Sequence, residues 1–406
     1  MKRHHFYLTL FLLYFVFFLD IMGFAIVYTT VDVISESHFG KSTPDFLIRH
    51  PMIMGGLTLA AYPLAQLIGA PFIGRLSDTY GRKTTLIGSL IFTALSFLTS
   101  GLSLILQNIW LFIFSRFISG FSSGNITIAQ ASISDMSSEA QRGKFMSLFN
   151  IAWGLAWLLT PFFTNFLIHN FTSLGTPFFF LAILFALSSI LIFIYSYQED
   201  ALKDQNKQSS SDSVKDQIDK ESSLKKLFFL LFIWYFAWIN LRSFIPFYLD
   251  EQFALNSFEV GNTLSLFAVS MLFGGVIGGT SLLKEKKIIR LTLNSLLISS
   301  LASLSFSFLN SLAEFCLAGI ILFFCQSLVF SSFLTLSSLL APKQSKGKLM
   351  GFFNSVQAFA AFIAALISTS LGVINLKYPF ILSFIFLVFT YLLYKKIAFF
   401  PEQQTS

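Results

Sequence analysis

Charge is scarce in this chain of 406 residues. Asp, Glu, Lys and Arg together make up 12% of it, about half of what a soluble domain carries, which excludes a soluble globule. Cysteine is almost absent. Cys316 and Cys325 lie nine positions apart on one expected helix, a separation of roughly 13 Å, too far for a disulfide. No phosphate-cradling glycine loop, metal-ligating cluster or nucleophile–base set occurs. Neither an enzyme nor a cofactor or metal is therefore expected.

Apolar residues fill the space that charge leaves. Hydrophobic residues make up 55% of the chain, Phe alone numbers 53, and the mean hydropathy is +0.72. A bilayer span needs roughly 20 apolar residues. Twelve such stretches occur, at about 6–28, 54–75, 84–105, 109–133, 145–168, 177–197, 227–249, 259–283, 289–308, 312–340, 349–374 and 378–398. The first follows Lys2 and Arg3 and is too long for the apolar core of a signal peptide, so it reads as a retained span. The net charge of +7 invites a nucleic-acid partner, but the distribution argues against one. Of the 27 Lys and Arg, Lys41, Arg49 and Lys377 fall on one side of the expected spans and Arg116 and Arg242 fall inside them. All the others lie on the opposite side. That is the positive-inside asymmetry. It places both termini in the cytoplasm and makes the lipid bilayer, not nucleic acid, the partner.

The long polar stretch 198–226 is rich in Ser, Gln, Lys and Asp and reads as a disordered cytoplasmic linker. It separates an N-terminal half, 1–197, from a C-terminal half, 227–406. The halves look like repeats. Gly143-Lys-Phe-Met-Ser-Leu-Phe-Asn150 recurs as Gly347-Lys-Leu-Met-Gly-Phe-Phe-Asn354 at the entry to the fifth and eleventh spans. Aligning Tyr28 with Tyr248 puts Asp20 opposite Asn240, and Thr58 and Gly69 correspond to Thr263 and Gly274. The fold expected is an all-α membrane protein of twelve transmembrane helices in two six-helix repeat halves.

Between the second and third spans lies Gly74-Arg-Leu-Ser-Asp78-Thr-Tyr-Gly81-Arg82-Lys83. It is a tight charged hairpin at the water interface, where Asp78 can stay ionised and Arg82 and Lys83 resist translocation. Gly74 and Gly81 suit close approach or a positive φ. This G-x-L-x-D-x-x-G-R-K pattern resembles the signature loop of major facilitator superfamily transporters. Phe18-Leu-Asp20-Ile-Met-Gly23 and Ala61-Tyr62-x3-Gln66-x3-Ala70-Pro71 are similar to the tetracycline/multidrug proton antiporter branch. The fifth span departs from that branch, with Thr160-Pro161-Phe-Phe-Thr164-Asn165 in place of Gly-Pro-x-x-Gly-Gly. In the second half the signature loop is eroded, with Leu283 where Asp78 would be and Glu285 two positions away.

Asp20 is the acid placed deepest in a span. An ionised group there is costly and usually faces a cavity or a partner. Balanced between desolvation and a nearby cation, its carboxyl can take up and release a proton; alternatively it is a structural carboxyl held by an arginine. Arg116, in Arg116-x-x-x-Gly120, is the natural partner, and the resemblance assigns it to proton coupling beside the first-span acid. Gly120 and Gly124 form a small-residue packing face. The resemblance also implies a conformational latch of Gly74, Asp78, Gly81, Arg82 and Lys83 with Asp135, in which Asp78 meets the start of the eleventh span. Asp135 could equally be a solvated carboxylate.

Arg242 either snorkels toward Asp250 and Glu251 or faces the cavity and binds an anionic group on the substrate. Gln66, Asn125, Gln130, Asn240, Gln326, Asn354 and Gln357 are suited to line a substrate cavity or to bond between helices. The aromatic residues read mostly as lipid-facing filler, although Trp153, Trp157, Trp234 and Trp238 could stack on a ligand. The function expected is a proton-coupled secondary transporter in the inner membrane, exporting a small amphipathic molecule by alternating access, as a monomer. A proton symporter or facilitator importing a metabolite is the alternative, and a non-transporting receptor on the same fold comes third.

Overall fold

The computed structural model describes residues 3–35, 43–137, 139–195, 214–281, 285–340 and 346–397. Among the described residues there are fourteen helices and no strand. They are α1 (Arg3–Ser35), α2 (Asp45–Arg49), α3 (Pro51–Tyr80), α4 (Arg82–Ile105), α5 (Ile109–Phe121), α6 (Gly124–Met136), α7 (Glu139–Phe171), α8 (Thr176–Tyr195), α9 (Val214–Phe253), α10 (Ser257–Ser281), α11 (Glu285–Ser305), α12 (Leu312–Leu340), α13 (Lys346–Ile374) and α14 (Tyr378–Lys396). Eleven are long and apolar enough to cross a membrane. The remaining crossing is made by α5 and α6 in tandem, which brings the spans to twelve.

α4 shows why these helices suit lipid rather than water. Ser89, Thr93, Ser96, Ser100 and Ser103 point inward and are buried, while Ile91, Phe92, Leu95, Leu98 and Leu102 are exposed. This is the reverse of a soluble amphipathic helix. The buried hydroxyls are satisfied locally: Thr93 donates to the Ser89 carbonyl (2.9 Å) and Ser100 to the Ser96 carbonyl (2.9 Å). In hydrocarbon no water can do so. α3 and α4 are joined by Gly81 alone, at φ 91°, a left-handed conformation that glycine adopts without strain.

The sequence predicts one continuous span over 109–133, and the structure breaks it at Ser122 and Ser123. The Ser122 hydroxyl donates to the Ile118 carbonyl (3.0 Å) and that of Ser123 to the Gly120 carbonyl (2.7 Å). Both carbonyls also accept a backbone N–H, from Ser122 (3.0 Å) and Ser123 (3.2 Å), so the two serines bury their own hydroxyls on carbonyls of the preceding turn and the interruption is tolerated inside the protein. Glycine lets α3 approach closely here. A Cβ at Gly120 would lie 2.1 Å from the Tyr62 carbonyl oxygen.

A second difference concerns the linker. From Val214 the chain is already helical and continues unbroken into the seventh crossing as α9. Its Lys, Asp, Gln and Glu residues recur at three- and four-residue spacing, a pattern of charge pairs that supports a helix. Residues 198–213 lie outside the described residues.

In the first half α4 packs on α8, α3 on α5 and α1 on α7; in the second, α10 packs on α12, α9 on α13 and α11 on α14. The halves meet along two seams, α3 with α13 and α7 with α10.

Candidate functional site

Among the described residues, three charged side chains are buried at the level of the spans: Asp20 (5% exposed), Arg116 (1%) and Arg242 (3%). Asp20, Phe24 and Tyr28 recur every four residues, so they share one face of α1 and climb it by about 6 Å per step. The Asp20 carboxylate accepts from the Asn125 amide nitrogen at 3.3 Å. Asn125 stands in the first turn of α6, where the break between α5 and α6 puts it. The same nitrogen donates to the Thr93 hydroxyl (3.1 Å), the Asn125 oxygen accepts from the Ser89 hydroxyl, and Thr93 donates to the Ser122 hydroxyl (3.0 Å). One carboxylate oxygen of Asp20, Oδ2, is buried without a hydrogen-bond partner.

Arg116 does not ion-pair with Asp20 within 4 Å in this conformation, contrary to the pairing read from the sequence. Its Nη2 donates to the Gly23 carbonyl at 3.1 Å. Its guanidinium lies 5.1 Å from the Phe97 ring centre and 5.6 Å from that of Tyr62. The helix break explains the difference: it brings Asn125, not Arg116, against the carboxylate.

Arg242 points into the space between the halves rather than toward Asp250 and Glu251. Its guanidinium is 4.4 Å from the ring centre of Trp157, 4.9 Å from Tyr28, 5.3 Å from Phe24 and 5.9 Å from Trp238. Three of these rings belong to the first half and one to the second. Nε, Nη1 and Nη2 all lack a hydrogen-bond partner, and no carboxylate among the described residues lies within 4 Å. A narrow cavity beside it is walled by Leu264, Ala268, Met271 and Phe323. A second cleft shares the Met271 wall and runs past Trp153, Gly154, Gly275 and Phe330. The two charged centres are linked by rings: Arg116 lies over Tyr62, Tyr62 is 5.0 Å from Phe24, and Phe24 is 6.0 Å from Trp157.

With twelve crossings, the chain starts and ends at the same end of the bundle. At the opposite end the seams are tight. A Cβ at Gly56 would lie 2.0 Å from the Thr369 hydroxyl oxygen, and one at Gly261 3.0 Å from the Asn165 amide. Toward the terminal end, a Cβ at Gly275 or Gly351 would meet nothing within 4 Å.

Other sequence-selected residues are scattered. Asn240 donates to the Pro379 carbonyl and the Ser383 hydroxyl (2.7 Å each), tying α9 to α14. Gln326 accepts from the Trp234 indole (2.6 Å), tying α12 to α9. Both make the interhelical bonds that were the alternative to a cavity role. Gln66, Gln130, Asn354 and Gln357 are half-buried, and the Gln357 amide nitrogen lacks a partner. In the signature loop Asp78 pairs with Arg82 at 3.0 Å, Arg82 also donates to Ser77 (2.9 Å), and Lys83 lies 5.8 Å from the Phe193 ring centre. Gly74 is helical, and a Cβ there would meet nothing within 4 Å. The Asp135 side chain and the eroded loop at 282–284 lie outside the described residues. Phe24 and Tyr28 escaped the sequence reading, although their four-residue spacing from Asp20 was the available signal.

Residues 10–365 match the model of the Major Facilitator Superfamily. The class E tetracycline resistance protein of Escherichia coli is 25% identical over 277 residues, 65% of this chain and 64% of that protein. The match therefore spans less than two thirds of that relative. Multidrug resistance protein 2 of Bacillus subtilis is 25% identical over 80% of this chain and 82% of its own. Mouse major facilitator superfamily domain-containing protein 10 is 24% identical over 79% and 73%. Among solved structures, the human organic anion transporter MFSD10 (TETRAN) superposes with a TM-score of 0.75 at 18% identity, covering 95% of this chain and 99% of that one. That likeness shows a shared fold. With twelve crossings and a family model matched over most of its length, the chain is a multi-pass membrane protein and belongs to the Major Facilitator Superfamily.

Proposed function

We propose that this protein is a proton-coupled transporter and exports a small amphipathic molecule by alternating access of the halves 1–197 and 227–406. It would work as a monomer in the inner membrane with both termini in the cytoplasm. The observation that carries the reading is Asp20, a carboxyl buried at span level and held by a neutral amide rather than by a cation. A group in that setting can exchange a proton without first breaking an ion pair. Asn125 orients the carboxyl, and Arg116 would approach it only in another conformation of the same half. Export is favoured by the kinship with proteins named for tetracycline and multidrug resistance. The signature loop, Gly74 to Lys83 with Asp135, would latch the halves at the terminal end.

The test uses proteoliposomes with an imposed pH gradient and three fluorescent probes: tetracycline, ethidium and 2-naphthoate. The wild type should move at least one probe against its gradient, in the direction opposite to the protons. Asp20→Asn should lose that response while still binding the probe. Movement that ignores the gradient, or an Asp20→Asn protein that still follows it, would sink proton coupling at this site. Movement together with the protons would replace export by symport.

A further inference from the structure

We propose that Arg242 and the rings around it form the substrate's recognition subsite, and that the substrate is an amphipathic organic anion carrying a carboxylate next to an aromatic or other flat apolar body. This rests on the transporter reading above but not on proton coupling.

A guanidinium sandwiched by rings gains cation–π attraction. That attraction acts through the ring faces and leaves the N–H edges unsatisfied. Burying a charge without a counter-charge costs far more than a few such contacts return. All three guanidinium nitrogens of Arg242 are buried and unpartnered, and the Asn240 amide two residues away is already committed to α14. The set of donors left over is the fork that matches a carboxylate in bidentate fashion.

Position argues the same way. Structural arginines tie elements within one packed unit, as Arg116 does with Gly23. Arg242 stands on α9 of the second half and is boxed mainly by Phe24, Tyr28 and Trp157 of the first. The cavity beside it and the cleft at Trp153, Gly154 and Gly275 both abut Met271, and the cleft lies on the side toward the terminal end. An anion arriving there would take the N–H edges, while its apolar body would lie against the rings and against Leu264, Ala268 and Phe323. Binding would draw one half onto the other at the point where they must move.

The experiment measures quenching of intrinsic tryptophan fluorescence, to which Trp157 and Trp238 contribute, in purified full-length protein in phosphatidylcholine nanodiscs without any gradient. The probes are 2-naphthoate and its neutral isostere 2-naphthamide. The carboxylate should bind at least tenfold more tightly than the amide. Arg242→Gln should abolish that preference, and Arg242→Lys, which keeps charge but not the fork, should retain part of it. The wild-type comparison needs no variant, so a misfolded mutant leaves it intact. Equal affinity for the two probes, including no binding of either, would overturn the proposal, as would an Arg242→Gln protein that keeps the preference. Because no gradient is applied, failure here is separate from failure of proton coupling.

Discussion

Arg116 and Arg242 are both arginines buried within spans and surrounded by aromatic rings, yet their surroundings differ in one respect. Arg116 has a hydrogen-bond acceptor, the Gly23 carbonyl, inside its own half. Arg242 has none and faces the other half. A side chain anchored within one rigid unit, as Arg116 is through Nη2 although its Nε and Nη1 lack partners, is part of that unit's architecture. A side chain left incomplete across a moving seam is available to something that arrives from outside. The difference separates a charge that shapes a half from a charge that reads a ligand, and substitution should expose it.

The largest effect is expected at Arg242. Arg242→Met removes a buried charge that has ring contacts but no counter-charge within 4 Å among the described residues. Replacing buried ionic groups with apolar side chains of similar volume is often neutral or stabilising, by roughly 1–4 kcal/mol. Thermal unfolding in detergent should therefore show an unchanged or raised midpoint. Transport of 2-naphthoate in proteoliposomes should nonetheless fall to background. A variant that both unfolds early and transports poorly would make Arg242 a second structural arginine and erase the contrast.

Arg116→Met should do the opposite. It deprives the Gly23 carbonyl of the Nη2 donor and removes the guanidinium from over the Phe97 and Tyr62 rings. The loss expected is roughly 1–3 kcal/mol, read as a lowered unfolding midpoint. Binding of 2-naphthoate by the protein that remains folded should be close to wild type. Weakened binding with undiminished stability would reverse the roles assigned to the two residues.

Much of this arrangement was legible in the sequence. The spans, the existence of a hairpin between the second and third of them and the depth of Asp20 follow from apolar run length and from the rarity of charge, which act locally along the chain; that the hairpin shrinks to Gly81, with Gly74 helical, did not follow. The break at Ser122 did not follow, because both pieces are apolar and each serine still has a helical carbonyl to bond. Once the break was missed, Arg116 looked like the nearest partner for Asp20, whereas three-dimensional placement gives that position to Asn125. The helical start of α9 was hidden for a related reason: its composition suits both a solvated linker and a charged helix. Nor could the sequence tell whether Asn240 and Gln326 line a cavity or tie helices, since an amide serves either end. Aromatic residues are so common here, at 17%, that the four around Arg242 carried little signal until they met.

The seam itself can be perturbed next. Gly56→Ala places a Cβ about where the Thr369 hydroxyl sits and 3.2 Å from the Ala365 carbonyl oxygen. Overpacking of this kind costs roughly 1–3 kcal/mol. Here it falls on the arrangement in which the ends opposite the termini are closed. Spin labels at Met52 on α3 and Leu371 on α13, in a background with Cys316 and Cys325 replaced by Ser, should show a longer-distance population. Thr369→Ala in the same protein should reduce that population by removing the hydroxyl. An unchanged distance distribution would mean that this contact does not bear on the closed state, and that Arg242 is boxed for some other reason.

The smallest effect on stability is expected at a third arginine, Arg82, which sharpens the comparison because its charge has a partner but little burial. Its Nη1 lies 3.0 Å from Asp78, whose side chain is 69% exposed, four residues earlier in sequence. Water screens both charges, and ordering two mobile side chains offsets most of the attraction. An exposed pair at this spacing contributes roughly 0.3–0.5 kcal/mol. Asp78→Asn should therefore move the unfolding midpoint by no more than the scatter of the measurement. Transport is a different matter if the signature loop acts as a latch. The carboxylate would then release Arg82 and meet the start of α13 when the terminal end closes, where the exposed N–H groups of a helix N-terminus favour a negative charge. Asp78→Asn loses that attraction in the closed arrangement only, so transport should fall severely while 2-naphthoate binding, which depends on Arg242, stays near wild type. Asp78→Glu, which keeps the charge, should recover part of the rate. Near-normal transport by Asp78→Asn would reduce the loop to a topological anchor, and the change between open and closed would then rest on the packing of α3 against α13 and α7 against α10.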